Sequence, residues 1–297
     1  MAEEAPVNKM RPMMGTFVSI TVFDSDETRA NTAINAAFSE MERLENSLSK
    51  FSPKSEISKI NKNAAKGPVK VSAATFEIIK MSVSFSKETE GAFDITIGPL
   101  MVLWGFVGNK PALPSDAQVA DIMKHVGYQK LELNEKNRTI KFKTAGMEID
   151  LGAIAKGYAL DKSLDILKKQ KITRAIIDIG GNLGFLGVPE RGYWSVGIKD
   201  PKDPDKVSKV MKVKKGAVAT SGNYEKYLEI EGRKFCHILD PRTGYPVDIN
   251  DSERKSVTVG ASTAVTADAF STAAFVLGEK KSKELFRGKP LTIFYHR

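Results

Sequence analysis

The sequence predicts an α+β fold, a mixed, largely antiparallel sheet with helices packed on it. Three observations carry this. Short runs alternate apolar and polar residues at strand period, beginning with residues 15–23. Longer runs repeat apolar residues at helical spacing. The two kinds alternate irregularly, and many strand candidates are hairpin-like neighbours.

Residues 15–23 put Val18, Ile20 and Val22 on one side of a strand. Asp24, Ser25 and Asp26 then offer caps for a helix with the stripe Ala33, Ile34, Ala37, Phe38, Met41, Leu44 and Leu48. A second helix starts after Ser72, carries Phe76, Ile79 and Val83, and ends before Gly91. A third opens with Ser115 and Gln118 in capping-box register. Residues 131–143 read as a hairpin turning at 135–138. The apolar run 173–179 reads as a buried strand feeding a glycine turn at 180–184. Residues 194–198, 209–213, 227–230 and 255–259 add strands, and 263–277 is a helix closed by Gly278. No repeat or long linker interrupts the chain. A single domain is expected over 11–297, behind a flexible segment at 1–10.

Composition narrows the function. The net charge of +9 permits an anionic partner. The lysines are scattered, however, apart from Lys168, Lys169 and Lys171 at one helix end and Lys212, Lys214 and Lys215 on a strand. Aromatic-basic interleaving and zinc-finger spacing are both missing, so nucleic acid is not an expected partner. His125, His237 and His296 form no H-x-x-x-H pattern, which argues against zinc catalysis. The lone Cys236 excludes an internal disulfide. No apolar run approaches the ~20 residues of a membrane span. The polar, acidic start lacks the regions of a secretory signal, so a soluble chain without an export signal of its own is expected.

Four segments bear chemistry. Asp268 and Thr272 lie four apart on a helix and share a face. With a carbonyl from the Gly152-Ala153 turn they would make an all-oxygen set suited to Mg²⁺ shared with water and phosphate. Spacing alone favours the plainer alternative, in which Asp268 caps its helix and Ser271 and Thr272 face the core. Asp150 and Lys156 flank the turn, and Lys156 near a helix start can meet phosphate or stand as an ordinary surface lysine. His237, Asp240 and Arg242 stand near a strand end in H-I-L-D-P-R-T-G, either as a plain hairpin loop or as a proton-handling and phosphate-binding group. Asp94 and Thr96 interrupt a glycine-punctuated apolar run with Phe93, Trp104 and Phe106, which suits a flat aromatic ligand, though such a run is more often plain core. There is no Walker A pattern and no G-x-G-x-x-G.

Seven motifs then fall in one order: M-G-T-F from Met14, F-S-P-K-S-E-I-S-K-I-N from Phe51, G-A-F-D-I-T-I-G-P-L with L-W-G-F, D-L-G-A-I-A-K-G-Y-A-L-D from Asp150, I-D-I-G-G-N, H-I-L-D-P-R-T-G and T-A-D-A-F-S-T-A. Over roughly residues 11–278 the chain resembles the FAD:protein FMN transferase (ApbE) family, formerly described as thiamine-biosynthesis lipoproteins. The resemblance implies an ApbE-like, T-fold-related core. It also implies a Mg²⁺-dependent transferase that splits FAD, links FMN by a phosphoester to Thr or Ser of a target protein, and releases AMP. It assigns the metal to the Ala153 carbonyl, Asp268 and Thr272, and catalysis to His237 and Asp268. It places FAD contacts at Met14, Phe51, Ala92, Phe93, Asp94, Asp150, Lys156 and Leu239. The implied partner is a protein with a D-x-[ST]-x-A-T acceptor motif, which this chain itself lacks, so a self-flavinylated carrier is not expected. An FAD pyrophosphatase and a non-catalytic flavin-binding protein are the alternatives; the Asp268/Thr272 pair argues against the second. By resemblance the location is periplasmic or at the cell envelope, with the cytoplasm as the alternative.

Overall fold

A computed structural model describes residues 6–108, 111, 113–200, 203, 205–223, 227–248 and 255–296. The chain begins β1 (Pro6–Met13), β2 (Thr16–Phe23), α1 (Glu27–Leu48), α2 (Glu56–Asn63), β3 (Val69–Lys70), α3 (Ala73–Glu88), α4 (Gly98–Leu103) and α5 (Asp116–Met123). It continues with β4 (Leu131–Asn134), β5 (Thr139–Phe142), α6 (Ala155–Lys169), β6 (Arg174–Ile179), β7 (Asn182–Leu186), β8 (Trp194–Lys199) and β9 (Val207–Val213). β10 (Gly216–Gly222), β11 (Tyr227–Ile230), β12 (Arg233–Cys236), β13 (Ser256–Ala261), α7 (Ala264–Leu285) and β14 (Thr292–His296) complete it.

Among the described residues, seven strands form one sheet in the order β1-β2-β6-β7-β10-β13-β14. Each neighbouring pair is antiparallel, so the expected mixed sheet is antiparallel throughout. Smaller sheets are β3-β5-β4, β8-β9 and β11-β12. The strand period separates two faces. Val18, Ile20 and Val22 of β2 join Ala175, Ile177 and Ile179 of β6 beneath the helix layer of α1, α6 and α7. On the other face Trp194, Val196, Ile198, Met211 and Val213 of the β8–β9 hairpin pack on Phe185 and Val218.

Capping sets the helix starts. Asp26 accepts the Arg29 N–H at 3.0 Å to open α1, whose apolar stripe is buried as expected. Ser72 caps α3, and Ser115 and Gln118 close the capping box of α5. The hairpin expected at 131–143 is β4–β5.

Several elements differ from expectation. Pro6–Met13, largely inside the segment expected to be flexible, is strand β1, paired along its length with β2. It is an edge strand with mostly exposed side chains, so ladder bonds hold it and no apolar alternation announces it. Residues 1–5 lie outside the described ones. Glu56–Asn63, for which no element is expected above, is α2, which buries only Ile57 and Ile60. β10, rich in small residues, was not legible as a strand although it lies inside the sheet. The turn after β6 is Gly180–Gly181 alone, since Asn182 already begins β7. Gly278 leaves the helical region at φ 75° as expected, but helix resumes beyond it to Leu285, so it makes a kink and not an end.

Candidate active site

Two turns meet at one end of the sheet. Met14 and Gly15 join β1 to β2, and Gly180 and Gly181 join β6 to β7. They lie side by side, because the Gly180 N–H donates to the Phe17 carbonyl at 3.2 Å. Met14 adopts φ 54°, and its N–H donates to Glu45 Oε1 of α1 at 2.9 Å. Beyond the second turn the buried Asn182 faces the helix layer.

There it meets Asp268 of α7. Asn182 Nδ2 donates to Asp268 Oδ1 at 2.9 Å, and the Gly157 N–H of α6 donates to Asp268 Oδ2 at 2.8 Å. Ile154, at the cap position of α6, gives no side-chain cap, so Asp268 performs that task from another helix. The plain reading of Asp268 as the cap of its own helix is therefore replaced: Thr263 caps α7. Asp161 of α6 returns the contact by accepting the Ala264 and Val265 N–H groups at 2.8 and 2.9 Å. Burial pushes the Asp161 carboxyl above its ordinary pKa, against those two bonds. The two helices cap one another. Gly157 permits the approach, since a Cβ there would stand 2.4 Å from the Ala264 carbonyl oxygen.

Asp268 is only 5% exposed, and no ion pair among the described residues reaches it. A buried carboxylate with neutral partners alone is costly, and each oxygen keeps a lone pair beyond its single bond. One turn on, Thr272 Oγ1 lies 3.2 Å from Ser221 Oγ. The backbone adds a third oxygen. The Gly157 N–H, which would serve the Ala153 carbonyl in a continued helix, goes to Asp268, and no backbone donor among the described residues replaces it. Among the described residues no three His, Cys, Asp or Glu side chains cluster as a metal site. One carboxylate, one hydroxyl and one carbonyl fit a hard cation that completes its shell with phosphate or water.

The segment leading into α6 is clamped. Asn61 of α2 gives its amide N–H to the Ile149 carbonyl at 3.0 Å and takes the Ile149 N–H at 2.7 Å. Asp150 pairs with Lys50 and accepts the Gly152 N–H at 2.8 Å. Beside this pair opens a groove of 310 Å³ lined by Lys50, Phe51, Ser58, Asn61, Val107 and Glu148. Phe51 is 76% exposed at its lip, with Lys50 Nζ 5.4 Å from its ring centroid. An exposed phenyl beside a groove is a stacking platform. Half-buried Lys156 follows as the second residue of α6, near its positive end.

Other candidates turn inward. Ala92 and Phe93 are core residues, and Phe93 meets Phe85 edge-on. Asp94 accepts Thr96 N–H at 2.8 Å, Thr96 O–H at 2.7 Å and Tyr128 N–H at 2.7 Å. Burial pushes its pKa up. Trp104 is likewise core, its indole N–H donating to the Gly244 carbonyl at 2.9 Å. Leu239 packs in the cluster of Leu100 and Trp104, and half-buried His237 stands two residues before it, in the bend that follows β12. Arg242 is engaged by Asp240 in its own loop, at 2.8 and 2.7 Å. That loop adjoins the Ala92–Asp94 stretch, with Arg242 Cγ 3.6 Å from where a Gly91 Cβ would stand.

Thus the fold brings Asp268, Thr272, the Ala153 turn and the start of α6 together, and continues through residues 148–150 to the Phe51 groove. Asn182, Ser221, Lys50 and Asn61 went unassigned from sequence. Asn182 stands in the I-D-I-G-G-N motif, and Asn61 ends F-S-P-K-S-E-I-S-K-I-N. The Lys50–Asp150 pair spans a hundred residues, and no local pattern announces it.

The seven-stranded antiparallel sheet beneath two mutually capped helices sets the fold class. Residues 14–294 match the ApbE family, and the chain belongs to it. It is 35% identical over 272 residues to a FAD:protein FMN transferase of Klebsiella pneumoniae (strain 342), covering 91% of this chain and 82% of that protein. A FAD:protein FMN transferase of Treponema pallidum (strain Nichols) is 30% identical over 94% of this chain and 80% of its own. The crystal structure of the ApbE protein of Thermotoga maritima superposes with a TM-score of 0.89 at 34% identity, covering 99% and 97% of the two chains. Flavin transferase ApbE from Vibrio cholerae gives 0.86 at 28% identity, covering 98% and 93%.

Proposed function

We propose that this protein is a Mg²⁺-dependent FAD:protein FMN transferase that joins FMN through a phosphoester to a Thr or Ser of a target flavoprotein and releases AMP. The observation that carries this reading is the buried Asp268 carboxylate, held by neutral donors only, one turn before Thr272 and capping the helix that follows Ala153. Relatives named FAD:protein FMN transferase across most of the chain support it.

Asp268, Thr272 and the Ala153 carbonyl would hold Mg²⁺. When bound, it would polarise the pyrophosphate and offset charge growing on the departing AMP. The exposed Phe51 ring gives the flavin a face to stack on, beside the Lys50–Asp150 pair. Lys156 and the N-terminus of α6 meet the phosphates. The acceptor hydroxyl oxygen bonds to the FMN phosphorus while the bond from that phosphorus to the bridging oxygen breaks. The bridging oxygen leaves on AMP, and His237 takes the hydroxyl proton.

The test incubates the protein with FAD, Mg²⁺ and an acceptor bearing the D-x-[ST]-x-A-T motif, with EDTA as control. In-gel flavin fluorescence of the acceptor with matching AMP release is expected. AMP and free FMN without labelled acceptor would make it a pyrophosphatase, and bound, intact FAD a binding protein.

A further inference from the structure

We propose that Asn182 and Ser221, neither of them a ligand, are the positioning residues that aim the Asp268 carboxylate and the Thr272 hydroxyl at the cation. This rests on the metal reading given above. Both project from neighbouring strands of the large sheet toward the helix layer. Asn182 shares its side of β7 with Gly184, which faces Leu160 of α6, and Ser221 shares its side of β10 with the buried Ala217 and Ala219.

Asn182 and the Gly157 N–H grip different oxygens of one carboxylate, at 2.9 and 2.8 Å, so the plane of Asp268 cannot swing. The grip is neutral. A lysine in place of Asn182 would itself neutralise the carboxylate and displace a cation, whereas an amide donor fixes the group and leaves its charge available.

Ser221 acts by counting protons. Ser271 Oγ donates its one proton to the Asp268 carbonyl at 2.8 Å. Its contact with Ser221 Oγ at 2.8 Å must then run from Ser221 to Ser271. Ser221 has spent its only proton, so at 3.2 Å Thr272 is the donor and Ser221 the acceptor. The chain runs one way, from Thr272 to Ser221 to Ser271 to the backbone. It turns the Thr272 proton toward the sheet and leaves the oxygen lone pairs on the other side, where a neutral hydroxyl must present them to bind a cation.

The experiment titrates the metal-free protein with Mn²⁺, reading bound ion by electron paramagnetic resonance and confirming the site by Mg²⁺ competition. Asn182→Ala and Ser221→Ala are each expected to weaken Mn²⁺ binding by about tenfold to a hundredfold, as outer-shell losses do. Ser221→Thr, which keeps the hydroxyl, should restore affinity. Thermal unfolding of each metal-free variant separates positioning from stability, and Ser221→Ala, which spares the α6–α7 junction, carries the test if Asn182→Ala does not fold. Unchanged Mn²⁺ affinity in a folded Ser221→Ala or Asn182→Ala variant overturns the proposal alone. Failure of the unsubstituted chain to bind Mn²⁺ overturns the metal reading and the proposal with it.

Discussion

The Gly157 N–H donates to Asp268 Oδ2 at 2.8 Å, and this one bond links a helix start to the candidate metal site. It caps α6, orients the carboxylate and withholds from the Ala153 carbonyl its helical partner. Gly157→Ala places a methyl 2.4 Å from the Ala264 oxygen and 2.8 Å from Asp268 Cβ, so α6 and α7 must part. Overpacking of this kind costs about 1–3 kcal/mol. Urea unfolding should show that loss, and flavin transfer should fall further than stability does, because the displaced group is Asp268 itself. Equal stability and equal activity would mean that the helices are not held as closely as described.

Asp268→Asn is expected to abolish Mg²⁺-dependent turnover while the protein still folds. It will not be silent in stability. Both oxygens of Asp268 accept bonds, and an amide must turn its NH₂ toward Gly157 N–H or Asn182 NH₂. One buried donor then faces another, at a cost of about 1–3 kcal/mol. Circular dichroism with denaturant titration checks the fold, and AMP release at saturating Mg²⁺ checks the chemistry. Full activity in this variant would remove the metal assignment.

What the sequence made legible follows a physical boundary. Periodicity exposed α1, and side-chain caps exposed α3 and α5, because each signal is local. The Asp268–Thr272 pair was visible as i and i+4, yet spacing could not separate a ligand pair from a capping one. The partners that Asp268 does engage, Gly157 and Asn182, stand 111 and 86 residues away in sequence. β1 and β10 were illegible for opposite reasons. The first is an exposed edge with no apolar code; the second is made of small residues flanked by glycines. The aromatic run around Phe93 and Trp104 reads more readily as core than as a ligand cradle, and both rings are buried.

Acid should loosen the chain through Asp24. The Arg29 guanidinium, bonded to it at 2.9 Å, holds the Asp24 carboxyl below its usual range. A carboxyl with a depressed folded-state pKa contributes stability above its unfolded pKa and loses it as pH falls through the folded value. The contribution is thus complete at neutral pH, begins to fall near about pH 4, where the unfolded carboxyl takes its proton, and is gone only below the folded value. Asp24→Asn should lower the urea midpoint at pH 7 and differ less from the unsubstituted protein as pH falls through that window. A constant difference at all pH values would assign the effect to packing instead.

Lys50 gives the last prediction, because its pair with Asp150 ties the Phe51 platform to the turn that carries Ala153. Both side chains are largely shielded, at 14% and 13% exposure, so neither charge is well solvated without the other. Lys50→Met leaves Asp150 uncompensated and should cost about 1–3 kcal/mol, the penalty of a stranded buried partner. The same loss frees the groove wall beside Phe51, so FAD binding followed by flavin fluorescence quenching should weaken by about tenfold for each 1.4 kcal/mol transferred to the ligand. Lys50→Arg keeps the charge and should recover most of the affinity. Asp150→Asn introduced into Lys50→Met removes the stranded charge, and recovered stability in that double variant would measure the coupling directly. If Lys50→Met bound FAD as the unsubstituted protein does, the pair would serve the fold alone and the groove would owe its shape to the Asn61 clamp.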